Sequence, residues 1–195
     1  QNVGRLELVW KNGKVSVNNY RLIPVDDRIA GESDVIEAIE AQQSLVTQEI
    51  LVPLGISYSD QVAETDYLLE CNEQGDFRSS NLGPMIADAI HSYINRHSSR
   101  GCDISMVAVG VIRDRMVPGI MTAPDVFRIM SLGSGDDEVP GYPLSRLYVT
   151  GRELKNILEI LMIAHKSSPS NHCFYSGLKV KHDPERGLLR LSLIH

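Results

Sequence analysis

The sequence has 195 residues, of which 43% are hydrophobic and 23% charged. That composition excludes a disordered chain and supplies enough apolar material for one core of ordinary domain size. With 19 Lys and Arg against 25 Asp and Glu, the formal charge is −6, so no broad basic field is available to hold a polyanion and nucleic-acid binding is disfavoured. The longest apolar runs, near residues 107–112 and 157–164, fall well short of the roughly 20 residues of a membrane-spanning helix.

The opening residues alternate Leu6, Leu8 and Trp10 with Arg5, Glu7 and Val9, the pattern of a half-buried strand. Asn12-Gly13 then supplies a hairpin turn, and Val15 and Val17 begin the return strand. A lone hairpin is marginal in water and needs a sheet to join. From Ser33, a candidate N-cap, the period becomes helical through Val35, Ile36, Ile39, Leu45, Val46 and Ile50, until Pro53 and Gly55 end the segment. Residues 56–78 read as polar and irregular, with one strand-like piece at 67–69. Pro84 favours the first turn of a second helix reaching about His97, with Ile86, Ile90, Tyr93 and Ile94 as its apolar stripe.

Residues 104–112 form a continuous apolar run, expected as a strand covered on both faces. Thr122 and Asp125 have the spacing of a capping box and open a short helix. Thr150 and Glu153 do the same for a longer one carrying Leu154, Ile157, Leu158, Leu161 and Met162. Residues 131–143 are a loop rich in Gly, Asp and Pro, 147–149 read as a strand, and 178–181 with 188–194 as a final hairpin around 183–187. The chain ends inside that last strand, which leads to the expectation of a piece cut from a longer protein.

The chemistry legible in these segments is that of binding. Cys71, Cys102 and Cys173 are scattered without a CxxC, and none of the six histidines stands at HxH or HExxH spacing, so the chain shows no metal-binding motif. Neither a GxSxG elbow nor a phosphate-cradling P-loop is present. Arg113 falls where the 104–112 strand should end, beside a turn containing Gly110. An arginine there can hold a carboxylate or phosphate bidentately, or pair with Asp114 or Asp125 on the surface. Arg78 and Asn81 lie in a polar loop feeding a helix N-terminus, which serves either as an anion site or as an ordinary cap. Gly133 and Ser134 sit in a glycine loop that permits close backbone approach, although glycines serve turns as well and Asp136 and Asp137 would repel a phosphate.

Taken in order, these segments resemble the C-terminal domain of the 5'-nucleotidase family, which includes UDP-sugar hydrolases and 2',3'-cyclic phosphodiesterases. Residues 80–90, Ser-Asn-Leu-Gly-Pro-Met-Ile-Ala-Asp-Ala-Ile, are similar to its "NLGxLxADA" helix. The stretch 103–114, ending Ile112-Arg113-Asp114, is similar to its "AD…NGGGIRD" strand and turn. Gly119-Ile120-Met121-Thr122 leading to Asp125-Val126-Phe127 resembles "G.it..dvl", and 149–154 resembles "TGxxL". The opening strands resemble the closing strands of a preceding metallophosphatase domain.

The resemblance implies an α/β (α+β) fold of mixed sheets packed with helices at 34–50, 84–97 and 150–165. It divides the chain into residues 1–30, the tail of the preceding domain, and residues 31–195, a substrate-binding domain truncated at its C-terminus. It implies a parent enzyme that hydrolyses phosphoric esters in nucleotide catabolism, with divalent metals and the catalytic dyad in an N-terminal domain of the same protein, no cofactor in this chain, and an inactive isolated chain. It further implies a bacterial protein in the periplasm, at the cell surface or secreted. Substrate contacts would fall to Arg113, Gly110, Asp114, Arg78, Asn81, Gly133 and Ser134. The sequence departs from the family at "NGG", replaced by Ala108, Val109 and Val111 around Gly110, and at "PFGN", replaced by Ser131-Leu132-Gly133-Ser134 without its aromatic. These departures leave a second expectation open, a non-catalytic interaction domain using the 136–145 loop.

Overall fold

A computed structural model describes residues 2–26, 28–71, 79–136, 140–181 and 192–194. It falls into two compact units, Gln1–Gly55 and Ile56–His195. The first is a hairpin followed by a helix. Strands β1 (Asn2–Lys11) and β2 (Lys14–Pro24) pair antiparallel with a bulge between Glu7 and Leu8. The turn is made by Asn12 and Gly13, with φ of 53° and 73°, the left-handed geometry that matches strand twist in two-residue hairpins. Helix α1 (Ser33–Val46) starts after Glu32 rather than after Ser33, loosens into a wide turn at Thr47–Leu51 and tightens at Val52–Leu54. Pro53 lacks the N–H to continue it, and Gly55, in the left-handed conformation, closes it. No residue of α1 is buried, and both faces of the hairpin are open, with Trp10 72% exposed.

The second unit holds the core. Helix α2 (Leu82–His97) lies against the antiparallel pair β4 (Ser105–Ala108) and β6 (Cys173–Ser176). The close approach is made at Gly83, where a Cβ would overlap the Phe174 ring. Ser105 Oγ donates to the Ala87 carbonyl at 2.6 Å, tying strand to helix through a buried hydrogen bond. Around this contact gather Leu69, Leu82, Ile86, Val107, Val109, Ile112, Met116, Met121 and Ile129. A second antiparallel pair, β3 (Gln61–Thr65) with β5 (Gly119–Thr122), feeds helix α3 (Ala123–Ile129) through the Thr122–Asp125 capping box. Helix α4 (Gly151–Ser167) begins at the Thr150–Glu153 box. Strand β7 (Lys179–Lys181) pairs antiparallel with β8 (Ser192–Ile194), so the expected final hairpin forms, its turn lying outside the described residues.

Helices and small sheets are therefore combined as the α/β reading expects, and all four described strand pairs are antiparallel. Two expected strands differ. The 104–112 run is buried at alternate positions but is a strand only to Ala108. At Val109–Val111 it curls into a single tight turn, because Val109 N–H donates to the His172 carbonyl at 2.8 Å and Gly110 lets the backbone come against Ser170. Residues 147–149 lie in an unpaired stretch among the described residues. Helix α2 starts two residues before Pro84, and the 56–78 segment contains β3, which polar composition concealed.

At the C-terminal end of α4 the His165 and His172 rings meet edge to face with centroids 5.1 Å apart, and His172 meets Phe174 at 5.0 Å. Burial, reinforced by His165, pushes the His172 imidazole below its usual 6.5. A histidine whose folded pKa lies below its unfolded value stabilises the fold while neutral. Its contribution is whole above about pH 6.5 and is lost as pH falls toward the folded value. Thermal unfolding followed across about pH 5 to 8 is expected to show Tm falling on the acid side, with a shallower slope in His172→Gln. Identical slopes for the two proteins would remove His172 from the account.

Candidate anion site at the Arg113 turn

The tight turn after β4 delivers Ile112 into the core and turns Arg113 outward. The Arg113 backbone N–H donates to the Ile129 carbonyl at 2.7 Å, docking the turn on the end of α3. Its guanidinium reaches the Gly110 carbonyl through Nη1 at 3.3 Å and forms no ion pair among the described residues. Arg128 explains why. Placed on α3 by the capping box, it meets Asp114 Oδ2 through Nε at 3.2 Å and Asp125 Oδ1 through Nη2 at 3.4 Å. The two carboxylates with which sequence spacing could pair Arg113 are both taken by Arg128. Asp125 is further held by the Thr122 backbone N–H at 2.9 Å and its hydroxyl at 2.7 Å, and these bonds, with Arg128, keep its carboxyl below the usual range. Asp114 Oδ1 also accepts from the Arg115 N–H at 2.8 Å, so Asp114 is committed within the turn.

The structure thus brings Gly110, Arg113 and Asp114 together on one turn. Gly110 makes the approach close, since a Cβ would stand 3.2 Å from the Ser170 carbonyl oxygen and that neighbour would have to give by a few tenths of an ångström. Gly133 and Ser134 belong to the loop following α3. Gly133 has a φ of 77° and accepts the Gly141 N–H at 2.9 Å, while Ser134 bridges Pro140, so the loop folds back on itself. The Tyr142 ring lies over Gly133, so close that a Cβ there would overlap it, and Tyr142 remains 60% exposed. An aromatic therefore sits on this loop, contributed from nine positions beyond Gly133 (142 − 133). Arg128 and Tyr142 are the two residues that spacing did not single out. The i, i+3 relation of Asp125 and Arg128 was the legible signal for the first.

Asn81 precedes α2, but its side chain makes no helix cap. Its Oδ1 accepts from the Glu70 N–H at 2.8 Å and its Nδ2 donates to the Leu68 carbonyl at 2.9 Å. It holds 68–70 as an extra strand would, and Leu69 in turn exchanges both backbone bonds with Met116, two residues past Asp114. Asn81→Ala is expected to lower stability by about 1–2 kcal/mol, two neutral bonds' worth, as a drop in Tm. Asn81→Asp, which keeps the acceptor and loses the donor, should fall between. An unchanged Tm for Asn81→Ala would mean the staple is not needed. Arg78 lies outside the described residues. Among those described, no three His, Cys, Asp or Glu gather to hold a metal ion, and no helix is long and apolar enough to cross a membrane.

The family model described as the 5'-nucleotidase C-terminal domain matches residues 61–189. This chain belongs to that family. Among curated proteins, a 5'-nucleotidase of Vibrio cholerae serotype O1 is 27% identical over 143 residues, covering 68% of this chain and 25% of the relative. One of Vibrio parahaemolyticus serotype O3:K6 is 28% identical over 174 residues, covering 82% of the chain and 28% of the relative. The chain thus spans about a quarter of the length of either 5'-nucleotidase. In three dimensions it is similar to the 5'-nucleotidase precursor of Thermus thermophilus, with a TM-score of 0.59 and 19% identity over 98% of this chain and 36% of that one, a likeness of fold. The matched region contains α2, the Arg113 turn, the 119–127 segment and the start of α4, on which the 5'-nucleotidase resemblance rested, but not the opening strands.

Proposed function

We propose that this chain is the substrate-binding part of a metal-dependent 5'-nucleotidase-like phosphoester hydrolase active in nucleotide catabolism. The metal ions and catalytic dyad would lie in an N-terminal domain of the same polypeptide, so the isolated chain would bind without turning over. The observation that carries the reading is the guanidinium of Arg113, which has no carboxylate partner among the described residues. A charged fork at a turn, relieved of its carboxylates by Arg128, is built for bidentate contact with an anionic or multiply hydroxylated ligand. Gly110 and Asp114 shape the turn, and Gly133 and Ser134 present a loop carrying Tyr142, whose ring offers an apolar face. Arg78 and Asn81 complete the proposed set, with Asn81 acting through the backbone it holds.

Residues 1–30 are proposed as the closing strands of the preceding metallophosphatase domain and 31–195 as the substrate domain. Support comes from the hairpin itself, which exposes apolar side chains on both faces and cannot be stable as two strands in water. The Thermus protein is described as a precursor, which supports an exported protein, in the periplasm, at the cell surface or secreted.

The test is an NMR titration of the labelled chain with AMP, adenosine and a simple sugar phosphate. Shifts gathered at 110–114 and 131–135, larger with AMP than with either partial ligand, are expected. Silence at Arg113 and its neighbours with all three would remove the binding role.

A further inference from the structure

The Arg113 turn rests on residues 168–172, which leave the end of α4 and lead into β6. Val109 N–H donates to the His172 carbonyl at 2.8 Å, and a Cβ on Gly110 would stand 3.2 Å from the Ser170 carbonyl oxygen. The segment is tied to α4 as well. Ser168 N–H donates to the Ala164 carbonyl at 3.0 Å, and Asn171 Nδ2 reaches the same carbonyl at 3.3 Å. The N–H groups of Asn171 and His172 close its tight turn on the Ser168 and Pro169 carbonyls, each at 3.0 Å. Residues 168–172 thus form a brace between the end of α4 and the backbone just before Arg113.

Two imidazoles meet in this brace. The His172 ring stands edge to face against His165 of α4 on one side and Phe174 on the other, with centroids 5.1 and 5.0 Å apart. Phe174 is buried and lies on Gly83 of α2, so His172 has an apolar wall behind it. Such a place suits neutral rings, since a charge there loses water and two charges at this distance repel. From α4, His165 is the titratable group that acts on His172, and Lys166 beside it is exposed. Residues 168–171 and 109–111 bring no titratable side chain, and α2 brings Gly83. On β6, burial holds the Cys173 thiol and the Tyr175 phenol above their ordinary values, so both are neutral where histidine titrates. Arg113 is the fixed cation of the turn and is exposed on its outer side.

We infer that His165 and His172 are positioning residues for the Arg113 turn: neutral, they hold 168–172 against it, and protonated, they release the segment, loosen the turn and weaken anion capture. Burial and the charge of His165 make His172 harder to protonate in the brace than outside it. Falling pH therefore favours the released state. This inference rests on the reading of Arg113 as a ligand contact. Charge attraction alone would act in the opposite sense, tightening anion binding in acid, so the direction of the pH effect separates the two.

The test uses the isotope-labelled 195-residue chain with its His172→Gln and His165→Gln variants, each at about pH 8 and about pH 5.5. Without ligand, amide exchange is corrected for its intrinsic pH dependence. Protection of the Val109 amide should fall at least about tenfold at the acid pH in wild type. Ile86, in the core of α2, should keep its protection, and Val109 in His172→Gln should show no such pH dependence. The second readout is the Kd for AMP. Its phosphate itself titrates near pH 6, so each protein is compared with wild type at the same pH. Wild type should lose about tenfold more affinity in acid than His172→Gln. His165→Gln, which removes the repulsion but keeps one imidazole, should fall between and carries the comparison if His172→Gln does not fold. The inference is overturned by Val109 protection that is level across pH, by Kd values that change in parallel in all three proteins, or by acid tightening confined to wild type. Loss of Val109 protection in acid with no AMP binding by any protein at either pH would support the brace and overturn Arg113 as the ligand contact.

Discussion

In the complete polypeptide, Arg113→Ala is expected to raise KM for a nucleoside monophosphate by roughly 10- to 150-fold while leaving kcat nearly unchanged. The size follows from a charge-assisted hydrogen bond of about 1.5–3 kcal/mol. The split follows from the proposed division of labour. An arginine that grips the ligand away from the metals contributes equally to ground state and transition state, and removing such uniform binding moves KM alone. Arg113→Lys should recover part of the loss, because it keeps the charge but not the planar fork. A parallel Arg100→Ala, just past the end of α2, should leave both constants alone. If KM for Arg113→Ala stayed at the wild-type value, the guanidinium described at the turn would have no part in substrate binding. A fall in kcat without a change in KM would instead place Arg113 against the reacting phosphoryl group.

The largest stability effect is expected at Gly83. A methyl there would run into the Phe174 ring, and that ring is itself buried in the core. Either the ring leaves its rotamer or α2 lifts off β4 and β6, and overpacking of this kind costs about 1–3 kcal/mol. Leu82, the preceding residue, is fully buried, so α2 cannot shift without opening the core around it. Gly83→Ala should therefore lower Tm by several degrees on the scale expected for a domain of this size. Phe174→Leu should be destabilising alone yet partly rescue Gly83→Ala, since the smaller side chain leaves room for the methyl. A double-mutant cycle measures this directly, and strict additivity would show that the two residues do not meet as described.

The sequence was most informative where local chemistry decides structure. Asn12-Gly13 demands left-handed backbone, and the hairpin forms around it. Thr122 with Asp125 and Thr150 with Glu153 each close both bonds of a capping box, and α3 and α4 begin there. The apolar stripe Ile86, Ile90 and Ile94 likewise foretold α2. What was hidden depends on partners distant in the chain. The 104–112 run is apolar enough for one long strand, but its end is decided by His172 and Ser170, some sixty residues away (172 − 109 and 170 − 110). Residues 147–149 have strand propensity and no partner among the described residues, and propensity without a ladder does not make a strand. At the site, Arg113 could be named from its position after a buried run. Whether its guanidinium was free could not, because that depends on which arginine reaches Asp114 and Asp125 in space. Asn81 looked like a cap and is a staple, since Leu68 and Glu70 come to it only after folding.

Arg128 therefore governs a property that it does not itself carry. By holding Asp114 and Asp125 it keeps a neighbouring cation available, and its removal would offer Arg113 the Asp114 carboxylate at close range. If Arg113 binds substrate as proposed, a single change at Arg128 is expected to silence that binding by internal neutralisation, with every residue of the turn intact. Inheritance of the trait is spread across two positions, and a lineage that preserves arginine at 113 while drifting at 128 would look functional by its motif and be mute in solution.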